Sequence, residues 1–189
     1  MNQDTIDRLR HQVIAPQKLW IDGQAVAAQS GRTLAVTSPI DGQTLCHMAA
    51  GQREDLDAAV HAARRAFNAG VWSRMAPAER KRIMHRIADA IEAHHAELAV
   101  LGVRDNGTEI SMAWKAEPGS AAATFRYYAE CVDKVNGEIA PTPDNVMGLV
   151  HREAVGVVGA AARDEARERI AEALRGLPQP YRQVVTLHL

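Results

Sequence analysis

The chain has 189 residues, and its 22 lysines and arginines nearly balance its 23 aspartates and glutamates. Hydrophobic residues make up 47% of it and charged residues 24%, which is typical of a globular protein and argues against wholesale disorder. The length suits one ordinary domain, and the formal net charge of −1 gives no general reason to expect binding to nucleic acid.

The sequence shows no pattern of export or membrane insertion. Residues 1–17 mix acidic, basic and isolated apolar residues, without the apolar segment of a secretory signal. The longest uncharged apolar run, residues 154–162, is far shorter than the roughly 20 residues that span a membrane. Cys46 and Cys131 form no C-x-x-C pair, which favours two reduced cysteines. We therefore expect a cytoplasmic protein that does not enter the membrane.

Two Asp-Gly pairs in the first third of the chain predict β-hairpins. They are Asp22-Gly23 and Asp41-Gly42. Glycine adopts the positive φ of a tight turn without steric cost, so each pair favours a turn between two short strands. The extended segments that flank these turns are residues 18–21, 24–26, 33–37 and 43–48.

From residue 53 the apolar residues recur every three or four positions, which predicts amphipathic helices. Gly70 closes the first helix and Pro77 opens the second, while Asn-Gly pairs follow the third and fourth. The predicted helices cover residues 53–69, residues from Pro77 through Ile91, residues 96–104 and residues 117–135.

Two strands and a charged tail are predicted after a proline-containing loop. Residues 146–151 and 155–158 favour strands, and the second is almost wholly apolar, as in a strand covered on both faces. After Ala160 the composition changes to a segment dense in Arg, Asp and Glu, which predicts a short helical tail. The pattern as a whole indicates an α/β fold with a boundary near residues 160–163.

The histidines and cysteines offer no complete reactive site. His94 and His95 are adjacent on a predicted helix and point about 100° apart, so they are poorly placed to chelate one metal. Cys46 and His47 are neighbours on a predicted strand, which puts their side chains on opposite faces and argues against a catalytic dyad. Cys131 lies near the apolar stripe of the fourth predicted helix, where packing is a simpler interpretation than a reactive thiol. The residues by themselves supply no catalytic, cofactor-binding or metal-binding site.

Two further patterns point only weakly to ligand binding. Gly156 and Gly159 form G-x-x-G, without the middle glycine that lets a backbone approach a pyrophosphate in the G-x-G-x-x-G turn. In the tail, acidic residues are interleaved with the arginines, which favours a solvated helix over a DNA-binding patch. The arginines are 163, 167, 169 and 175, and the acidic residues are 164, 165, 168 and 172.

Several short strings along residues 17–160 occur in an order that resembles one enzyme family. They are WIDG at 20–23, SPIDG at 38–42, LDAAVHAARRAF at 56–67, RIADAIE at 86–92, DNG at 105–107, RYYA at 126–129 and REAVGVV at 152–158. Together they resemble the N-terminal part of the NAD(P)-dependent aldehyde dehydrogenases, nearest in character to the subgroup acting on γ-glutamyl-γ-aminobutyraldehyde-type substrates. Ala154 stands where the family commonly has proline. The resemblance implies an incomplete α/β fold over residues 17–160, with N-terminal hairpins, four helices and the first strands of the cofactor domain, preceded by an extension at residues 1–16.

The resemblance also implies a parental reaction. A cysteine thiolate attacks an aldehyde, hydride passes to NAD or NADP, and water releases the acid. The family takes its nucleophilic cysteine, its general-base glutamate and most of its cofactor pocket from segments that follow the predicted strand 155–158, where this chain ceases to resemble it. Neither Cys46 nor Cys131 occupies the nucleophile's motif, and Asp105 matches a turn aspartate that helps to hold a structural cation in some members. We therefore expect a catalytically incomplete chain that binds neither NAD nor NADP by itself.

Residues 161–189 resemble a different family. The strings RIAEAL at 169–174, LP at 177–178, YRQVV at 181–185 and LHL at 187–189 resemble the opening of the last DNA-binding region of an extracytoplasmic-function sigma factor. The resemblance stops before the recognition helix of a helix-turn-helix, so binding to DNA is not expected. The chain is then a junction of two unrelated truncated coding segments.

Two other roles stay open at this point. The family's strands near residues 146–151 take part in subunit contacts, so the chain could join a homo- or hetero-oligomer with aldehyde dehydrogenase subunits. Alternatively, the chain is a non-functional remnant of a fusion or a frameshift.

Overall fold

The structure is a computed structural model that describes residues 2–159, and within that range it contains five helices and six short strands. The helices are α1 (Gln3–Arg10), α2 (Arg53–Ala69), α3 (Pro77–Ala93), α4 (His95–Asn106) and α5 (Ile110–Cys131). The strands are β1 (Leu19–Ile21), β2 (Gln24–Val26), β3 (Thr33–Thr37), β4 (Thr44–Ala49), β5 (Glu138–Ala140) and β6 (Gly148–Val150).

Both predicted hairpins are confirmed. β1 pairs antiparallel with β2, with Leu19 opposite Val26, and the turn between them has positive φ at Asp22 (54°) and Gly23 (72°). β3 pairs with β4, and the connecting turn contains Gly42 at φ 72°. Glycine takes this backbone conformation at no steric cost, which is why the Asp-Gly pairs locate the turns.

The four predicted helices are also confirmed, with different bounds. α2 ends where Gly70 takes φ 65°, and α4 runs to Asn106 before Gly107 takes φ 78°. α5 begins at Ile110 rather than near residue 117 and ends at Cys131 rather than residue 135. It continues through Pro118, which is buried, although a proline inside a helix removes one backbone hydrogen bond.

The N-terminal extension contains a helix that the sequence pattern did not predict. The side chain of Asn2 accepts a hydrogen bond from the backbone N–H of Asp4 at 3.0 Å and thereby caps α1. Ile6 is the buried residue of this helix, which packs against α4. Because α1 has one buried apolar residue among its eight, its sequence shows no apolar periodicity that would predict a helix.

The prediction of two strands after the helices needs correction. Only residues 148–150 of the predicted strand 146–151 are extended and paired, with β5 as an antiparallel partner that was not predicted. Residues 155–158 do not form a strand, and Val155 and Val158 are exposed. A wholly apolar strand requires neighbours that pair with it and cover both faces, and none of the strands in residues 2–159 provides them. The predicted helical tail, residues 161–189, lies outside the described residues.

The described chain divides into two compact units. One, called here the helical unit, contains residues 2–17, 34–48 and 75–152, and the other, called the α2 unit, contains residues 18–33, 49–74 and 153–159. In the helical unit α5 packs along α3 and across α4. In the α2 unit the helix packs on β1.

Alanine dominates the core of the helical unit. Five alanines on its three long helices are fully buried, and no large side chain among residues 2–159 is. Small side chains let helix backbones approach closely, but each contributes little buried apolar area. The fully buried residues are Ala88, Ala99, Ala113, Ala122 and Ala129. Among residues 2–159 no helix has the length and apolar character needed to cross a bilayer.

Candidate functional site

A cavity of about 830 Å³ lies within the helical unit, bounded by α1, by the turn from β3 to β4, and by the junction of α4 and α5. Its apolar lining comes from all three parts, and charged side chains stand among it. The apolar residues are Ile6, Ile40, Leu45, Val100, Val103 and Ile110, and the charged or titratable residues are Asp7, Arg10, His11, Asp41, Arg104 and Glu109. The sequence did not predict this cavity, because only tertiary contacts bring the three segments together.

Arg104 holds α1 in place as one wall of the cavity. Its Nη1 donates hydrogen bonds to the backbone carbonyl oxygens of Leu9 at 3.2 Å and Gln12 at 2.7 Å. Carbonyls at the C-terminal end of a helix lack intrahelical partners and carry partial negative charge, so a guanidinium is well suited to this position.

The charges at the cavity are of both signs. The pKa of Asp41 is lowered from its ordinary value, first because its carboxylate accepts a hydrogen bond from the backbone N–H of Gln43 at 3.1 Å, then because of Ser38 and the nearby charge of Arg10. His11 makes a hydrogen bond through Nδ1 to the carbonyl oxygen of Asp7 at 2.7 Å. Mixed charges on an apolar lining define no preference for an anion or a cation.

The two cysteines lie on different elements, and both are free thiols that are half-buried. Cys46 is on β4, where the side chain of the neighbouring His47 is exposed. Cys131 is the last residue of α5. A catalytic thiol is favoured at a helix N-terminus or beside a free cation. Cys131 instead lies at the negative end of a helix, and the ammonium of the nearby Lys134 pairs with Asp133 at 2.6 Å.

The adjacent histidines have different partners. His94 contacts Glu97 through Nδ1 at 3.0 Å, and His95 makes a 2.8 Å hydrogen bond through Nε2 to the carbonyl oxygen of Trp114. The ring of His95 also stacks edge-on against the Trp114 ring, with 4.9 Å between the centroids. These contacts give His95 a role in joining α4 to α5.

Two structural features bear on metal and dinucleotide binding in the described residues. No group of three His, Cys, Asp or Glu side chains within residues 2–159 is placed to hold a metal ion, and the exposed Asp105 lies in the last turn of α4. A dinucleotide needs a strand that leads through a glycine turn into a helix N-terminus. Residues 155–159 contain the glycines but form no strand.

A row of ion pairs joins α3 to α5, and the sequence analysis did not predict it. Lys81 Nζ lies 2.5 Å and His85 Nε2 3.0 Å from the carboxylate of Glu130. One turn further along, Arg126 binds Glu92 at 2.5 Å and Asp89 at 2.8 Å. Positions 81, 85, 89 and 92 lie on one face of α3. This spacing in the sequence could have predicted a row of charged side chains on that face.

Hydrogen bonds within this row shift the pKa values of its members. Arg126 lowers the pKa of Glu92, and Lys81 followed by His85 lowers the pKa of Glu130. The carboxylates raise the pKa of the Arg126 guanidinium above its ordinary value. The carboxylates are exposed and the cations half-buried, so solvent weakens these pairs and the row stabilises helix packing only modestly.

The order of hairpins and helices, together with the sequence, matches one enzyme family. The sequence model of the aldehyde dehydrogenase family matches residues 25–162. The chain therefore belongs to the aldehyde dehydrogenase family.

Curated relatives are considerably longer than this chain. The cytosolic 10-formyltetrahydrofolate dehydrogenase of Xenopus tropicalis is 38% identical over 148 residues, which are 76% of this chain and 16% of the relative. The NADP/NAD-dependent aldehyde dehydrogenase PuuC of Escherichia coli is 38% identical over 143 residues, which are 76% of this chain and 29% of the relative. The chain thus spans less than a third of the length of either protein.

A solved structure confirms the fold. The γ-glutamyl-γ-aminobutyraldehyde dehydrogenase from Burkholderia cenocepacia superposes with a TM-score of 0.78 at 38% identity, over 84% of this chain and 32% of that one. The expected α/β aldehyde dehydrogenase-like fold is therefore confirmed for the matched residues.

Proposed function

We propose that the chain provides the N-terminal structural segment of an enzyme that oxidises an aldehyde to a carboxylic acid with NAD or NADP. The agreement of residues 25–162 with the aldehyde dehydrogenase family model carries this proposal, and the name of the Escherichia coli relative supports the choice of cofactors. In this role the hairpins and helices form a scaffold and do not contact the reacting atoms.

In this proposal the 189 residues do not oxidise an aldehyde by themselves. Neither cysteine is placed for activation, since Cys46 lies on β4 and Cys131 closes the C-terminal end of α5. The test is an assay of the purified chain with aliphatic aldehydes and either cofactor, followed by absorbance of the reduced nicotinamide. We expect no turnover. Turnover that Cys46→Ala or Cys131→Ala abolishes would contradict the proposal.

We also propose that the chain alone binds neither NAD nor NADP. Residues 155–159 form no strand of the kind that leads into a pyrophosphate-binding turn, which supports this view. Isothermal titration of each cofactor into the chain, with an intact aldehyde dehydrogenase as positive control, measures this directly. Saturable binding to the chain would show that another surface holds the cofactor.

The substrate class of the parental enzyme is a finer part of the proposal. The solved Burkholderia cenocepacia enzyme is named for γ-glutamyl-γ-aminobutyraldehyde, and its 38% identity supports an aldehyde of that type. A chimera in which residues 25–159 replace the matching segment of such an enzyme tests this. We expect the folded chimera to keep its activity toward this aldehyde, and loss of that activity in a folded chimera would count against a parental enzyme of this class.

A second candidate function is assembly with an intact aldehyde dehydrogenase. The hairpin of β5 and β6 supports it, because Ile139 lies opposite Leu149 and both are exposed, at 74% and 70%. Two strands of three residues are too short to be stable in isolation and leave both edges unpaired. Co-purification with an intact relative would support this role if it is lost in the variant Ile139→Asp/Leu149→Asp. Unchanged co-purification of the variant would exclude the hairpin as the contact surface.

The remaining parts of the proposal concern the tail and the location. We propose a sigma-factor-like origin for residues 161–189 and a cytoplasmic location for the chain. The alternative that the chain is a remnant of a fusion or a frameshift makes the same assignment to the tail. Sequencing the DNA across the codon of Ala160 tests the origin of the tail and the frameshift alternative. An intact aldehyde dehydrogenase reading frame in another phase would show a frameshift.

A further inference from the structure

Helix α1 lies along one side of the cavity in the helical unit. The residues through which it lines the cavity include Gln3, Ile6, Asp7 and Arg10, which are three or four positions apart and so share one face of the helix. Arg8, on another face, is exposed to solvent. The wall of the cavity at this side is therefore one helix thick.

Few contacts hold α1 against the rest of the unit. Its main packing partner is α4, and Ile6 is its buried side chain. The second attachment is the guanidinium of Arg104, which donates hydrogen bonds to the carbonyl oxygens of Leu9 and Gln12. An element with few buried apolar contacts opens at a lower cost in free energy than the whole fold. This attachment is thus the kind that breaks before α4 and α5 separate.

A short tether joins α1 to the next fixed point of the chain. Residues 12–16 form neither helix nor strand. At Gln17 the chain is held again, because its backbone N–H donates a 2.8 Å hydrogen bond to the carbonyl oxygen of His47 and the residue forms a parallel bridge to Met48. Five extended residues reach about 17 Å. The tether therefore allows α1 to leave α4 while Gln17 stays bonded to β4.

We propose that α1 is a strap that closes one side of the cavity, with residues 12–16 as its hinge and Arg104 as its latch. The strap lifts as a unit when the hydrogen bonds of Arg104 break and Ile6 leaves its buried position. Lifting admits solvent to the aliphatic lining of the cavity while α3, α4 and α5 stay packed. This device goes beyond the proposed function and does not depend on it.

Hydrogen–deuterium exchange of the full chain tests the strap. After correction for intrinsic rates, backbone amides of α1 should exchange at least tenfold faster than those in the middle of α4 and α5, because the strap opens without unfolding them. Arg104→Met removes both hydrogen bonds and keeps an apolar stem. It should speed exchange in α1 at least tenfold further and leave α5 unchanged. Equal protection of α1 and α5 in the wild type would overturn the proposal.

Arg86→Met is the matched control, because Arg86 is exposed on α3 and the variant removes the same charge. Ile6→Ala weakens the other attachment without a change of charge. We expect Ile6→Ala to speed exchange in α1 as Arg104→Met does, and Arg86→Met to leave it unchanged. Equal effects of the two arginine variants would overturn the latch. Equally faster exchange of α1, α4 and α5 in Arg104→Met and Ile6→Ala would show that α1 does not open separately, which also overturns the proposal.

Access to the cavity is measured separately by maleimide labelling of Val100→Cys. Val100 lines the cavity and is 4% exposed. Mass spectrometry of the peptide that contains position 100 distinguishes this thiol from those of Cys46 and Cys131. Labelling at position 100 should be at least fivefold faster when Val100→Cys is combined with Arg104→Met than when it is combined with Arg86→Met. Equal rates would show that α1 does not close the cavity, which would overturn the proposal.

Discussion

Asp55 is buried although it carries a carboxylate, because backbone groups satisfy both of its oxygens. Oδ2 accepts a hydrogen bond from the backbone N–H of Gln52 at 2.9 Å and Oδ1 accepts one from Gln29 at 3.0 Å. The first bond caps α2, and the second ties the helix to the segment after β2. One side chain thus joins two stretches of the α2 unit that are distant in sequence.

Asp55→Ala should lower the free energy of unfolding by about 1–2 kcal/mol, since it leaves two part-buried backbone donors without their acceptors. Asp57→Ala is the control, because Asp57 is exposed on the same helix. Urea denaturation monitored by circular dichroism measures both variants. Equal stabilities of the two would show that the hydrogen bonds of Asp55 contribute nothing measurable.

Two glycines of the helical unit should respond in opposite ways to alanine. In Gly102→Ala the new Cβ meets only the end of the Glu117 side chain, which can turn away, and alanine is the better helix former by about 1 kcal/mol. In Gly137→Ala the Cβ would lie 2.5 Å from the backbone oxygen of Val150, which β6 holds in place. We expect Gly102→Ala to be neutral or stabilising and Gly137→Ala to be destabilising. Thermal melts check the order, and the reverse order would contradict this account.

At the scale of elements, α3 and α5 are held by small buried residues and by the row of ion pairs along their edge. Ala88 lies fully buried on α3, and Ala122 and Ala129 on α5. The ion pairs flank this contact and are accessible to solvent, so salt screens them. Packing of the small residues therefore determines how closely the helices approach, and the ion pairs add a modest stabilisation at the edge.

The pH dependence of this contact should follow Glu130. Its folded pKa is lowered from 4.5, first by the hydrogen bond from Lys81, so its ion pair stabilises the fold above that value. The stabilisation is lost as the pH falls below 4.5 and through the folded pKa. We expect Glu130→Gln to melt at a lower temperature than wild type near neutral pH, and the difference to disappear in acid or in high salt.

Glu79→Gln provides the comparison for this experiment. Glu79 is on α3, and it pairs with Arg82 of the same helix at 4.0 Å. Glu79→Gln should lower the melting temperature less than Glu130→Gln does, because it removes only a long ion pair within α3 and a first-turn charge. If Glu130→Gln behaves in the same way at neutral pH, the ion pairs do not contribute to the contact of α3 with α5.

At the scale of the whole molecule, the described residues bury little large apolar surface. Alanines fill the helical core, while several large side chains stay exposed, among them Trp20, Met112, Tyr127 and Met147. Apolar burial is the main favourable contribution to folding and must offset the conformational entropy of the chain. A chain with this core is expected to be weakly stable by itself.

Urea unfolding of the isolated chain should show a shallow transition at low denaturant. The slope of the unfolding free energy with denaturant scales with the surface exposed on unfolding, so a small core gives a small slope. Binding of a hydrophobic dye before the transition would accompany it. A steep single transition, with the slope of a fully packed domain of this length, would show that the exposed residues are buried after all.

Local patterns were sufficient for the hairpins and the long helices. Asp-Gly pairs require positive φ wherever they form tight turns, and a 3.6-residue period of apolar residues is readable from sequence alone. The same patterns failed for α1, which buries one apolar residue, and for β5 and β6, whose three residues are too few to show a period. They also failed for residues 155–158, because a strand exists only where another strand pairs with it.

The sequence by itself determined the family, the two N-terminal hairpins and the four long helices, because short strings and local conformational preferences persist whatever surrounds them. Tertiary structure decided where the elements meet. It brought α1, the β3–β4 turn and the start of α5 around one cavity, aligned the charges of α3 with those of α5, and placed Arg104 against the end of α1. Those features depend on contacts between residues far apart in the chain, which no local pattern encodes.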